Sequence, residues 1–159
     1  YMNHPKILDA ETISHRFSTK GKKMAFTNGC FDMFHAGHAD LLRSIKEDLP
    51  FCYELVVGVN GDKSVQKNKG PERPIINQDQ RAFLVACQES VDNVFVFDEQ
   101  TIERYLSLLQ PSRWYKGGDY SVTTLHPAER ASCGQTEVYF IPFSENVSAT
   151  KIIEKIKKL

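Results

Sequence analysis

The 159-residue sequence has no net charge, no long apolar run and no paired cysteine motif. Its 20 lysines and arginines are balanced by 20 aspartates and glutamates, so it lacks the overall field that draws proteins to nucleic acid or anionic membrane surfaces. A basic helical stripe is missing too, and a nucleic-acid partner is not expected. Anion binding must therefore be local. The four cysteines, Cys30, Cys52, Cys87 and Cys133, are scattered. They form neither a Cys-x-x-Cys pair nor the dense framework of a small secreted domain, and they fit reduced thiols in a cytosol. No segment is apolar for long enough to cross a bilayer, and the start of the chain lacks a signal-peptide pattern, so a cytoplasmic protein without a membrane partner is expected. Tyr1, ahead of Met2, is read as an added residue and left out of the fold.

What remains is an ordinary globular composition at a length that suits one domain, residues 2–159, with a core large enough to need no disulfide. Apolar runs of strand length alternate with segments of helical period. Strands are expected at residues 23–27, 53–60, 93–97, 113–116 and 137–141. Helices are expected at 9–17, 38–46, 79–89, 101–109, 124–131 and 148–158. The run Leu55-Val56-Val57-Gly58-Val59 is apolar at each position, as in a strand covered on both faces. The pattern predicts an α/β fold, a Rossmann-like doubly wound parallel sheet of about five strands with helices on both faces. In such sheets ligands sit beyond the carboxyl ends of the strands, which directs attention to the segments after Thr27, Asn60, Phe97 and Lys116. Residues 61–78 read as one long polar loop containing Lys63, Lys67, Lys69, Gly70 and Arg73, a length usually reserved for function.

The most informative segment is Thr27-Asn28-Gly29-Cys30-Phe31-Asp32-Met33-Phe34-His35-Ala36-Gly37-His38, between a predicted strand and a predicted helix. His35 and His38 are three positions apart, so both imidazoles can face one anion where the chain turns into the helix. Gly37 between them removes a side chain and opens the backbone amides of the helix start to phosphate. Two histidines there also suit a zinc half-site, with Cys30 as a third ligand, or a solvated surface. A zinc site asks for further ligands at suitable spacing, and none is evident.

These residues, Asn28 to Asp32 leading into His35-Ala36-Gly37-His38, resemble the HxGH signature of the cytidylyltransferase-like nucleotidylyltransferase superfamily. The similarity continues through Gly58-Val59-Asn60-Gly61-Asp62, Lys69-Gly70-Pro71-Glu72-Arg73-Pro74-Ile75, Arg81, Val91-Asp92, Lys116-Gly117-Gly118-Asp119-Tyr120 and Ser148-Ala149-Thr150-Lys151-Ile152-Ile153. In that order the set is similar to the adenylyltransferase domain of ADP-heptose synthase. The resemblance implies transfer of AMP from ATP to a heptose 1-phosphate with Mg2+ and release of pyrophosphate. It also implies a stand-alone version of an enzyme often fused to a sugar kinase, in a family that often forms homodimers. Two departures stand out. Ala149 takes the middle place of a usual Ser-Thr-Thr, and Ser144-Glu145-Asn146 replaces the Arg-Thr-Glu-Gly run of cytidylyltransferases acting on glycerol phosphate.

Within that frame His35, His38, Lys69 and Arg81 are the expected catalytic residues. Thr27, Asn28, Gly29, Cys30, Phe31, Gly37, Lys116, Gly117, Gly118, Asp119, Ser148 and Thr150 are expected around the nucleotide. Lys69, with Lys67 beside it, would fold down from a mobile polar loop; the alternative is a solvated basic loop. Arg81 offers a planar fork for the phosphate of the acceptor, or else pairs with a carboxylate on an exposed helix. Asp32 would orient the incoming sugar or a magnesium-bound water, or cap a turn. Ser148 reads as the N-cap of the last helix, and Trp114 with Tyr115 as core. No protein-held metal is expected. The competing readings are a cytidylyltransferase acting on an alcohol phosphate with CTP, and a nucleotide-binding module without turnover.

Overall fold

A computed structural model describes residues 3–118, 125–142 and 146–159. Strands β1 (Lys23–Gly29), β2 (Tyr53–Asn60), β3 (Asn93–Phe97), β4 (Arg113–Gly117) and β5 (Glu137–Ile141) form one sheet in the order β3-β2-β1-β4-β5. All four neighbouring pairs are parallel. The helices are α1 (Ala10–Lys20), α2 (Ala36–Asp48), α3 (Asp62–Lys69), α4 (Gln78–Ala86), α5 (Glu103–Leu109), α6 (Pro127–Ser132) and α7 (Ala149–Lys157).

Successive side chains of a strand point to opposite faces, and the strand residues divide accordingly. Ala25, Leu55, Val57, Val94 and Tyr115 pack with Leu42 and Ile45 of α2 and Val85 of α4. Their neighbours Met24, Phe26, Val56, Phe95 and Trp114 pack with Ile13 of α1 and Leu106 of α5. Two apolar layers on one sheet are what a doubly wound α/β fold requires, and the expected fold class is the observed one. Trp114 and Tyr115 are buried, as read from the sequence.

The strand order reverses direction at β1, where the chain first builds outward through β2 and β3 and then returns to add β4 and β5 on the other side. A crevice opens at such a switch point, beyond the carboxyl ends of β1 and β4.

One element departs from expectation. The polar stretch read as a loop from 61 to 78 contains helix α3, which buries only Ser64 and Val65. A single apolar residue cannot mark a 3.6-residue period, so nothing in the pattern announced it. What fixes α3 lies elsewhere in the chain. Gly61 is its N-cap, and a β-carbon there would lie 2.0 Å from Asp98 Oδ1. The backbone of Asp62 donates to Gln78 Oε1, and Ser64 Oγ donates to the carbonyl of Glu99. Asp119, Tyr120, Ser144, Glu145 and the first residue of the helix expected at 124–131 lie outside the described residues.

Candidate active site

The segment after β1 enters α2 two residues earlier than the spacing predicts, so His35 is the N-cap and His38 the third helical residue. The two imidazoles close a reciprocal cap. His35 Nδ1 accepts from the amide of Gly37 at 3.1 Å, and His38 Nδ1 accepts from the amide of His35 at 3.3 Å. The rings stack with centroids 3.8 Å apart. Two orphan amides of the helix start are thereby satisfied by side chains.

This cap fixes the chemistry of both rings. A nitrogen that accepts a hydrogen bond carries no proton, so in the neutral rings the proton sits on Nε2, the atom left for a ligand. Burial holds His38 far below the ordinary histidine value, at about 4, with the neighbouring His35 and Lys69 charges adding to the effect and Asp32 opposing it. Burial also lowers His35. Both histidines are neutral hydrogen-bond donors at pH 7 in the free protein. Gly37 suits this packing, because a β-carbon there would meet His35 Cε1 at 3.0 Å and the ring would have to shift to make room.

The histidines face a cavity of about 830 Å3 at the switch point. Asn28, Gly29, Cys30 and Phe31 line it from the end of β1, with Lys116, Gly117 and Gly118 from the end of β4. The start of α7 contributes Ser148, Thr150 and Lys151, and Lys69 enters from the end of α3. Asn28 is set by its carboxamide oxygen, which accepts from Trp114 Nε1 at 3.1 Å and leaves the NH2 as a donor. Phe31 and Met33 adopt positive φ of 52° and 48°, a left-handed conformation that non-glycine residues keep only where their surroundings impose it. Gly118, at φ 107°, ends β4 with its amide on the carbonyl of Ile141.

Charge gathers here although the chain is neutral. Among the described residues Lys69, Arg73, Lys116 and Lys151 line the cavity against one carboxylate, Asp32. Helices α2 and α7 both begin at its wall, which adds the positive ends of two helix dipoles. Ser148 caps α7 through the amide of Lys151, the structural role read from the sequence. The arrangement suits a polyanion the size of a nucleoside triphosphate together with a second phosphorylated molecule.

Four expected site residues are placed differently, one of them Gly37, which lies beside the cavity and not in its lining. Arg81 is fully buried and does not line the cavity. Its Nε donates to the carbonyl of Ile76, its Nη1 to those of Cys30 and Asn60, and its Nη2 to Asp62 Oδ1 at 2.8 Å. This corrects the expectation that its fork holds a substrate phosphate; the fork is spent on tying the histidine loop to α3. Thr27 is buried and donates to the carbonyl of Tyr115, behind the cavity wall.

Asp32 does reach the cavity, but its carboxylate is filled by the amides of Met33, Ile75 and Ile76 and by Arg73 Nε. Burial opposes ionisation there, yet these hydrogen bonds and the Arg73 charge hold the group below the usual carboxylate range. The turn-capping alternative therefore describes Asp32, and its carboxylate has no free face for a metal-bound water. Reading the residues from the sequence missed Arg73 and Lys151. Arg73 stood within the resembling run from Lys69 to Ile75, but no local pattern separates it from a solvated charge.

Comparisons with known proteins bear on the fold and the family. A cytidylyltransferase-like family model matches residues 26–155. The bifunctional protein HldE of Helicobacter pylori strain J99 is 41% identical over 157 residues, covering 98% of this chain and 32% of its own length. HldE of Geotalea uraniireducens is 42% identical over 153 residues, covering 96% and 31%. This chain thus spans about a third of the length of these curated relatives. Among solved structures, the lipopolysaccharide core biosynthesis protein from Thermoplasma volcanium GSS1 superposes with a TM-score of 0.60 at 25% identity, covering 80% of this chain and 100% of that one. With the family model spanning all of the sheet but the first half of β1, both histidines and the start of α7, this chain belongs to the cytidylyltransferase-like family of nucleotidyltransferases.

Proposed function

We propose that this chain transfers AMP from ATP to a sugar 1-phosphate, a heptose 1-phosphate in the reading favoured by its HldE relatives, and releases pyrophosphate. The observation that carries the proposal is the pair of neutral Nε2–H donors at the start of α2, set inside a ring of cations at the sheet's switch point. An ionised phosphate monoester already holds the attacking oxygen, so the protein needs no side-chain nucleophile. Its task is positioning and charge stabilisation.

In this mechanism the acceptor oxygen attacks the α-phosphorus, and the bond to the oxygen bridging the α- and β-phosphates breaks. His35 and His38 donate from Nε2 to the phosphate oxygens where charge grows as pyrophosphate leaves. Because the cap holds both rings in place before the nucleotide arrives, little reorganisation is needed. Lys69, close enough to His38 to depress its basicity, supplies positive charge at the same centre. The paired glycines at the end of β4 give a flat approach for the nucleoside, and Lys151 with the amides of α7 meets the trailing phosphates.

Magnesium fits as an ion carried in by the nucleotide, where it neutralises phosphate charge. Among the described residues no three His, Cys, Asp or Glu side chains gather as a metal site, and Asp32 is already saturated. Phosphate oxygens and water would then supply its ligands, as Mg2+ prefers.

No helix among the described residues is long and apolar enough to cross a membrane, and the reading places the enzyme in the cytoplasm with its ATP. Helix α7 leaves Ile156 55% exposed, an apolar surface that a second copy would cover in a homodimer; sedimentation as a monomer would remove that part of the proposal. The activity is tested by assaying pyrophosphate release from each nucleoside triphosphate against a panel of sugar 1-phosphates and alcohol phosphates. ATP with heptose 1-phosphate should give the highest kcat/KM. A preference for CTP with glycerol 3-phosphate would replace the proposal with the cytidylyltransferase reading.

A further inference from the structure

In-line transfer needs anion-binding groups on two sides of the reacting phosphorus, one for the nucleotide and one for the phosphate that attacks. The strand order supplies two such sides. β4 stands on one flank of β1, with the start of α7 in the same cavity wall, while α3 and the segment after it follow β2 on the other. If the first flank takes the nucleotide, as the transfer reading above requires, the acceptor belongs on the second.

That flank carries Arg73, whose side chain is 14% exposed beside an Asp32 side chain that is 1% exposed. Arg73 Nε donates to Asp32 Oδ2 at 2.9 Å. Asp32 is itself anchored by the amides of Ile75 and Ile76, at 2.9 and 3.0 Å. The guanidinium is therefore gripped along one edge. Its two terminal nitrogens have no acceptor among the described residues and neither is a buried unpaired atom, so they are open to solvent, and Arg73 is one of the residues that line the cavity.

We propose that Arg73 binds the phosphate of the acceptor through these two nitrogens, and that Asp32 is the positioning residue that aims them. A guanidinium held at Nε loses little further freedom on binding, and its planar fork matches two phosphate oxygens. The Lys69 charge is felt by His38 and acts on the reacting centre, which leaves Arg73 to the acceptor. Lysine at position 73 would keep the charge without the fork, and asparagine at position 32 would bring an NH2 against groups that already donate.

The test compares wild type with Arg73→Gln, Arg73→Lys and Asp32→Asn by steady-state kinetics and by calorimetric titration of inorganic phosphate in the presence of a non-hydrolysable ATP analogue. Arg73→Gln should raise KM for heptose 1-phosphate roughly tenfold to a hundredfold and weaken phosphate binding similarly, with KM for ATP changed by less than about twofold. Arg73→Lys and Asp32→Asn should give smaller shifts of the same kind, with kcat less affected than KM. Arg73→Lys also guards against a folding defect, and its melting temperature should match wild type. An equal rise in both KM values, or an active Arg73→Gln enzyme with unchanged acceptor KM, overturns the assignment while the transfer reading stands. If wild type turns over no sugar phosphate yet loses phosphate binding on Arg73→Gln, the transfer reading fails and the phosphate site remains.

Discussion

Removing the Arg81 guanidinium should damage the fold rather than the affinity for substrate. In Arg81→Ala the carbonyls of Cys30, Asn60 and Ile76 each lose a donor, in a buried setting at Asn60 and a half-buried one at Cys30 and Ile76, and Asp62 loses its ion-pair partner. Three acceptors left unpaired, one buried and two half-buried, cost on the order of 1 kcal/mol each, and the cavity left by so large a side chain adds to this. The ion pair counts for less, since the Asp62 side chain is 34% exposed. A loss of about 4 kcal/mol follows, which for a domain of this size lowers the melting temperature by roughly 8–16 °C. Urea unfolding followed by far-ultraviolet circular dichroism measures it, and Arg81→Lys should recover only part, because an ammonium cannot reproduce the planar fan of donors. Below the melting transition the acceptor KM should change little relative to kcat, since α3 and the histidine loop lose their common tie. Stability within about 1 kcal/mol of wild type together with a tenfold rise in acceptor KM would refute this and restore Arg81 as a phosphate ligand.

The remaining predictions concern the cavity itself. His38 is held at about 4 against an ordinary value of 6.5, so between those values the unfolded chain binds more protons than the folded one; stability is fully present above pH 6.5 and should fall by about 2 kcal/mol as pH drops to 4, after discounting for partial exposure. Nitrogen-15 NMR should show both rings as Nε2–H tautomers at pH 7, and a His38 titrating near its ordinary value would contradict the capped geometry. Gly37→Ala should push the His35 ring out of its stack and lower kcat by at least tenfold with the fold intact, an outcome read from single-turnover rates beside a melting curve. Lys69→Ala, at the exposed end of α3, should lower turnover on the order of a hundredfold without lowering the melting temperature. Chelation of Mg2+ should stop turnover and leave that temperature unchanged; unfolding on chelation would point to a structural metal instead.

Much of this molecule was legible in its residues. Five apolar runs gave five strands, and the alternation with helical segments gave the parallel sheet, because burial on both faces leaves a strong local imprint. The histidine segment was legible for a similar reason: strand, turn, glycine and helix start are all local features. What escaped is held by long-range bonds. Helix α3 presents only Val65 as an apolar side chain, and its stability comes from Gln78, Glu99 and the space beside Asp98. Arg81 looked like a surface fork because the residues just before it, Gln78, Asp79 and Gln80, are polar, yet its four acceptors are contributed by Cys30, Asn60, Asp62 and Ile76, most of them distant in sequence. Arg73 and Asp32 are 41 positions apart, and neither alone announces that the carboxylate is a bracket for the guanidinium.

The central claim, direct attack by the acceptor phosphate on the α-phosphorus of ATP, is tested most directly with heptose 1-phosphate carrying oxygen-18 in its phosphate group. Unlabelled ATP and this acceptor are incubated with the enzyme, and the products are weighed by mass spectrometry. The account predicts an ADP-sugar that retains all of the acceptor's label, including the bridging oxygen, and unlabelled pyrophosphate, with neither product formed by His38→Ala. Label in the pyrophosphate, an adenylylated protein, or full product formation by His38→Ala would contradict it.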